Sequence, residues 1–418
     1  MREAAEQGAT AEEMEALLRL GRAYYVVGLD HRPAIPRSLD ALERARQLAI
    51  RLGDSHGEAR ALIPTHRHVD FDPGFRAQAT ENVNRALAIA RELGDEDLEI
   101  DALRGTSRMG TIADRLGTIE RIALERPGDL IALNEHLFDA MWTYWRSGHF
   151  MDCVACCDRA TALAGRLGIP PVQYGTIKSF ALVDLGRFDA AWEALEQEVA
   201  DDEHPFGQVF QGLGQMVWYA GAGDLERVIR EIPRVHAGAR ELQRTWMFPW
   251  LASLLASAIV ESHPDGTSEA TLRAAVEAAG GRLADEALVA DHLLAGDAEA
   301  ALTECERRLP AFEGEGHTRN YWLTEEPRIR ALLTLGRFAD ARDALDAALA
   351  IVEPLGWRFL VWRLRASLVA ALEALGDERA TAERRTAVER LMAIAGTLDD
   401  PSARSRFLSQ RIAAKLLA

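Results

Sequence analysis

Lysine is nearly absent from this chain: of 48 basic residues only Lys178 and Lys415 are lysine, and the rest are arginine. The bias reads chiefly as genome composition, with a lesser reading that planar forks are wanted for carboxylate or phosphate ligands. Positive charge is short overall. With a formal net charge of -17 the surface repels phosphate backbones, which excludes general nucleic-acid binding by a basic patch. Cysteine is scarce too; four in 418 residues make no disulfide framework and fit a reducing cytoplasm. Long apolar runs are missing. The uncharged stretch Thr245 to Val260 contains Pro249 and falls short of the roughly 18–20 residues that span a bilayer, so it reads as a buried helix. Met1 to Gln7 lacks the apolar segment of a signal peptide. No strand-like alternation of useful length occurs, so almost no sheet is expected.

What is present is a repeat. Gly28 is echoed by Ser147-Gly148-His149-Phe150, Leu185-Gly186-Arg187-Phe188, Ala222-Gly223-Asp224-Leu225, Ala295-Gly296-Asp297-Ala298, Leu335-Gly336-Arg337-Phe338 and Leu375-Gly376-Asp377-Glu378. Gly148, Gly186 and Gly223 are 38 and 37 residues apart, the step to Gly296 is two such periods, and the last two steps are 40 each. The absent turn between Gly223 and Gly296 is rewritten as Ser262-His263-Pro264-Asp265-Gly266. A second series, Leu52-Gly53-Asp54, Leu93-Gly94-Asp95, Leu167-Gly168-Ile169 and Leu355-Gly356-Trp357, supplies further stops. Glycine closes one helix in the left-handed conformation and aspartate caps the next, so Leu-Gly-Asp is a stop and a start. Between stops, Leu39, Leu42, Ala45, Leu48, Ala49 and Leu52 recur at helical spacing, as do Val83, Ala86, Leu87, Ala90 and Leu93, and Ala341, Leu345, Ala348 and Leu349. The alanines permit close helix approach. A period near 38 with this patterning predicts stacked helix pairs whose stability is spread over nearest-neighbour interfaces.

Leu20-Gly21-Arg22-Ala23-Tyr24-Tyr25 with Gly28, and Leu185-Gly186-Arg187-Phe188-Asp189-Ala190-Ala191, resemble tetratricopeptide (TPR) repeats. The longer unit, with Arg91-Glu92-Leu93-Gly94-Asp95 and the ending from Asp400-Pro401 to Arg406-Phe407-Leu408, is similar to the C-terminal regions of large bacterial LuxR-type ATPase regulators and class III adenylate or guanylate cyclases. The resemblance implies a sensor or scaffold portion of such signalling systems. Their chemistry is not written here: neither lysine follows the Gly-x-x-x-x-Gly of a phosphate-binding loop, and no cyclase or DNA-reading module is recognisable.

Several clusters invite chemistry. Cys153, Cys156 and Cys157 share a helix face, which suits soft-metal binding or redox sensing, yet a repeat needs small apolar residues there and packing is the favoured reading. His66-Arg67-His68-Val69-Asp70-Phe71-Asp72 would align four metal ligands only if extended, so it is read as a polar loop before Asp72-Pro73-Gly74. Glu325-Glu326 and Asp399-Asp400 are read as helix-start caps. Trp142, Trp145, Trp218, Trp246, Trp250, Trp322, Trp357 and Trp362 fall in first helices of their pairs, which line the inner surface of a TPR superhelix; the competing reading is that they fill the inter-helix core.

The sequence thus predicts an all-α, right-handed α-solenoid of about ten TPR-like helix–turn–helix repeats over residues 1–418. Irregular loops are expected near residues 30–38 and 64–74, and a capping helix near 401–418. The expected function is non-catalytic: a scaffold or sensor that binds a protein segment or small effector in its groove and regulates a signalling or transcriptional partner. Groove residues projected from the helix register are Arg22, Tyr25, Trp142, Trp145, Arg146, Phe180, Arg330 and Arg363. No cofactor, metal, nucleic acid or membrane is expected; self-association through the basic, apolar tail is open, as is a metal-dependent enzyme built around His66 to Asp72.

Overall fold

The computed structural model describes residues 2–30, 34–70, 75–109, 117–118, 130–168, 173–197, 205–241, 292–293, 296–313 and 319–418. Among them are eighteen α-helices, one 3-10 helix and no strand. Helices adjacent in sequence pack in pairs across short connections, many of them of two or three residues, and therefore run antiparallel, so the chain is an all-α solenoid. Two compact units are present, Met1–Ala140 and Met141–Ala418.

The first unit holds α1 (Arg2–Asp30), α2 (Ile35–Leu52), α3 (Ser55–Leu62), the 3-10 helix Ile63–Asp70, α4 (Arg76–Leu93) and α5 (Glu96–Met109). In α2 Leu42, Ala45, Leu48 and Ala49 of the predicted stripe are buried, joined by Ala41, while Leu39 and Leu52 are half-buried. These buried residues pack on Met14, Leu17 and Leu18 of α1. Each leucine so buried contributes about 1.5–3 kcal/mol. Gly53 closes α2 with φ 66° and its N–H donates to the Ala49 and Ile50 carbonyls, after which the Asp54 carboxylate accepts from Gly57 N–H at 2.8 Å. Asp95, Asp224, Asp297 and Asp400 cap their helices in the same way. Gly21 is different: it lies inside α1, which continues to Asp30 and so passes through Gly28 without turning. A Cβ on Gly21 would come within 2.8 Å of Leu42, so this glycine is there for close helix packing.

Residues 64–70, expected as loop, belong to the 3-10 helix. Pro64 lacks an N–H, while Thr65 Oγ1 donates to the Leu62 carbonyl at 2.6 Å and His66 Nδ1 to the Ile63 carbonyl at 2.6 Å, tying each side chain to the carbonyl three residues back. Phe71 to Gly74, His31 to Pro33 and the stretch containing Thr245 to Val260 and Ser262 to Gly266 lie outside the described residues.

The second unit opens with the end of α6 (Leu130–Arg146) and continues through α7 (Phe150–Leu167), α8 (Tyr174–Asp184), α9 (Phe188–Gln197), α10 (Pro205–Gly221) and α11 (Leu225–Glu241). Its later part comprises α12 (Ala298–Glu313), α13 (Arg319–Thr334), α14 (Phe338–Val352), α15 (Arg358–Leu375), α16 (Ala380–Ala395), α17 (Pro401–Ser409) and α18 (Arg411–Leu417). The tail is thus two helices, because Gln410 leaves the helical region at ψ 144° and sends its side chain elsewhere.

Nearest-neighbour stacking does not describe this unit fully. Three successive glycine turns each meet a residue far along the chain. Leu355 lies against the Gly148 turn. Thr397 Oγ1 accepts from Phe188 N–H and lies 3.1 Å from the Gly186 carbonyl. Gln410 Nε2 donates to the Gly221 carbonyl at 3.0 Å, and Arg406 pairs with Asp224 at 3.1 Å. Phe188 packs on Phe359 and Phe407, and Phe407 is fully buried. Phe407 and Leu416 of the tail are thus buried in their own chain while Leu417 stays exposed, and the purely nearest-neighbour picture drawn from the period is corrected: these contacts use side chains that lie outside the repeat signature.

Candidate functional site

Helix α8 is apolar on nearly every side, with Tyr174, Ile177, Phe180, Ala181, Leu182 and Val183 all buried, and it ends on a buried carboxylate, Asp184. Negative charge at a helix C-terminus opposes the macrodipole, and so does positive charge at the start of α13, where Arg319 is the first residue. Each placement costs about 0.3–1 kcal/mol alone. The two charges meet. Arg319 Nε donates to Asp184 Oδ2 at 3.0 Å and Arg319 Nη2 to Oδ1 at 3.5 Å. Trp145 Nε1 donates to Oδ2 at 3.0 Å and Trp357 Nε1 to Oδ1 at 3.2 Å. Two donors per oxygen fill the roughly four lone-pair positions of a carboxylate.

The rings complete the arrangement. The Arg319 guanidinium carbon lies 4.5 Å from the Trp145 ring centre and 5.9 Å from that of Trp357, within reach of both π faces. Phe180 and Trp142 hold Trp145 at 5.3 and 5.8 Å, and Phe150 holds Trp357 at 5.0 Å. The node is a carboxylate and two indoles around one planar cation, contributed by α6, α8, α13 and the residue that precedes α15. Such a set binds and orients a cation; with every lone pair of Asp184 engaged it offers no free base.

Of the residues projected onto a groove, Trp142, Trp145 and Phe180 come together here, with Phe210 edge-on to Trp142 at 6.0 Å. Trp145 and Phe180 are buried by their own chain, as are Trp322, Trp357 and Trp362, which matches the core-filling reading for these tryptophans. Arg146 is exposed, with its Nε 3.4 Å from the Trp142 carbonyl. Arg330 and Arg363 share one acceptor, Glu326, at 2.9 and 2.6 Å. Glu325 bonds Arg328. Glu325-Glu326 therefore sits inside α13 as ion-pair partners and not at a helix start. Trp246 and Trp250 lie outside the described residues. Asp184 and Arg319 were missed by the sequence reading; the one signal was a lone carboxylate between Val183 and Leu185 in an otherwise apolar stretch.

In the first unit, Arg22 is exposed, and Tyr25 meets His68 edge-on at 5.4 Å with Arg67 5.8 Å from its ring centre. Ser38 Oγ donates its proton to the Gly21 carbonyl at 2.6 Å, so it accepts from His68 Nε2–H at 2.9 Å, which fixes that tautomer. Both histidines are buried and serve the packing of α1, α2 and the 3-10 helix. No group of three or more metal-ligating side chains comes together among the described residues. The sulfurs of Cys153 and Cys157 face Met141, at 3.3 Å from its carbonyl and 3.6 Å from its sulfur respectively. Burial pushes Cys156 and Cys305 up to about 12 and Cys157 well above the usual thiol range. These thiols are packing residues and poor nucleophiles. An open depression of about 770 Å³ along α1, lined by Ala11, Ala16, Leu20 and Ala23 with Glu12, Glu15 and Arg19, gathers none of this chemistry.

No family model and no curated protein matches the chain. Among solved structures it is similar to a circular tandem repeat protein with novel repeat topology and enhanced subunit contact surfaces, at 16% identity over 98% of this chain and 96% of that one, with a TM-score of 0.19. That score is too low to define a shared geometry. No described helix is long and apolar enough to cross a membrane.

Proposed function

We propose that this chain is a non-catalytic helical-repeat scaffold that recognises a protein segment or small effector and relays its presence to a signalling or transcriptional partner in the cytoplasm. The observation that carries the reading is the node around Asp184, where aromatic residues projected onto the recognition surface converge with a buried carboxylate and an arginine. Aromatic side chains beside arginine are the usual anchors of protein recognition. A net charge of -17 favours cationic segments over nucleic acid. The test is a displayed-peptide library panned on the full chain, followed by titration of enriched peptides against tryptophan emission. Saturable binding that weakens on Trp145→Ala or Trp357→Ala supports the proposal; enrichment no greater than on the bare support, with no effector found to shift the emission, sinks it.

A further inference from the structure

We propose that Trp145, Asp184 and Trp357 form a guanidinium-binding site whose resident guest is Arg319, and that the guanidinium of an arginine-bearing protein segment exchanges with it. This deepens the recognition reading and rests on it. The host has supports of its own besides its guest. Phe180 and Trp142 pack on the Trp145 ring, Phe150 packs on that of Trp357, and both indole N–H groups donate to Asp184. Withdrawal of Arg319 leaves a buried anion between two aromatic faces with lone pairs exposed, a site that demands a cation.

The geometry selects a guanidinium over an ammonium. Arg319 uses an edge, Nε and Nη2, on the two carboxylate oxygens while its plane lies over the Trp145 ring. A lysine ammonium has one point of charge and cannot do both. Three features make the guest exchangeable. It comes from 135 residues along the chain. It sits at the helix start, where the dipole disfavours it. Its side chain keeps 15% of its surface in solvent, so the site has an open edge. Exchange frees the start of α13 from α8, which turns occupancy into a change of contact between early and late repeats of the same unit.

The test titrates the full chain with N-acetyl-arginine amide and, as a control, N-acetyl-lysine amide, following tryptophan emission. The wild type is expected to respond saturably to the arginine probe and about tenfold more weakly to the lysine probe; Arg319→Ala, freed of the internal competitor, binds the arginine probe about tenfold or more tighter. Arg319→Met keeps the apolar stem between the rings and serves as the second variant should the alanine form melt early. Asp184→Asn loses the response. An arginine probe without effect on the wild type up to about 50 mM, or bound equally by wild type and the folded Arg319 variants, overturns the proposal. A peptide from the display library that binds wild type and Asp184→Asn equally would overturn this site while leaving the recognition scaffold standing.

Discussion

Replacing Asp184 with alanine removes the single acceptor that four N–H groups share. Trp145 and Trp357 are 5% and 2% exposed, so their indole N–H groups have no ready access to water. Each buried donor left unsatisfied costs about 1–3 kcal/mol. Arg319 loses its counter-ion in a position where its side chain is 15% exposed, and breaking a buried pair by removing one partner costs about 3–5 kcal/mol. These costs overlap, since relaxation that satisfies one donor also relieves its neighbours, so the expected loss is about 3–5 kcal/mol in total. For a unit of this size that corresponds to a fall in Tm of about 6–20 °C. Asp184→Asn keeps one acceptor and the side-chain volume, and should lose about 2–3 kcal/mol. Urea unfolding followed in parallel by tryptophan emission and far-ultraviolet circular dichroism measures both. A double-mutant cycle with Arg319→Ala should return a coupling of about 2–3 kcal/mol. A loss below about 0.5 kcal/mol for Asp184→Ala, the range of ordinary surface substitutions, would refute the node as a structural element.

Gly223→Ala should cost about 2–4 kcal/mol in urea unfolding, because φ is 76° and the new Cβ would meet Gln410 and the Arg406 carbonyl. Gly53→Ala, at φ 66° with open space around it, should cost only about 1–2 kcal/mol; equal losses would count against the long-range contact. With Cys156 and Cys305 pushed up to about 12 by burial, the native chain should resist thiol reagents at about pH 8 and react fully once unfolded. Fast labelling of the folded chain would contradict the packing assignment. Arg307 and Arg308 hold Glu304 down to about 2 against an ordinary value of 4.5. The folded state therefore binds that proton less readily than the unfolded chain, and the stability it adds is full above pH 4.5 and fades as pH falls towards about 2. Glu304→Gln should flatten the stability profile in that window, and an unchanged profile would refute the assignment.

The helical repeat was legible because its signals are local. Gly53, Gly94, Gly168 and Gly376 close helices at φ 65–67°, and Asp54 and Asp95 cap the next ones. The apolar stripe of α2 needs only a period of 3.6 to be read. Gly28 was misread as a turn glycine, although it lies inside α1, because sequence alone does not separate a glycine that bends the chain from one carried within a helix, as Gly21 is where Leu42 approaches. The site was legible by half. Trp145 and Phe180 stood out as large aromatics in first helices, but their partners are defined by pairs such as Asp184 with Arg319 that no periodicity links. His68 reads as a metal ligand or a loop residue until Ser38, 30 positions earlier, is seen to hold it.

Why the long-range contacts matter follows from how repeat arrays unfold. An array joined only by neighbouring interfaces can lose a terminal repeat at the cost of one interface. Here the loss of residues 355–418 would strip the glycine turns at Gly148, Gly186 and Gly223 of Leu355, Thr397 and Gln410, and would take Trp357 from Asp184. Fraying at the C-terminal end is therefore charged against contacts in α7 to α11, and the unit should unfold more cooperatively than its period alone implies. The same linkage gives the Asp184 node its leverage. A change at Arg319 acts on a contact that early and late repeats share, so a local exchange of hydrogen-bond partners is felt across repeats that are distant in sequence. In an array joined only by neighbouring interfaces, an equal change would be confined to adjacent helices.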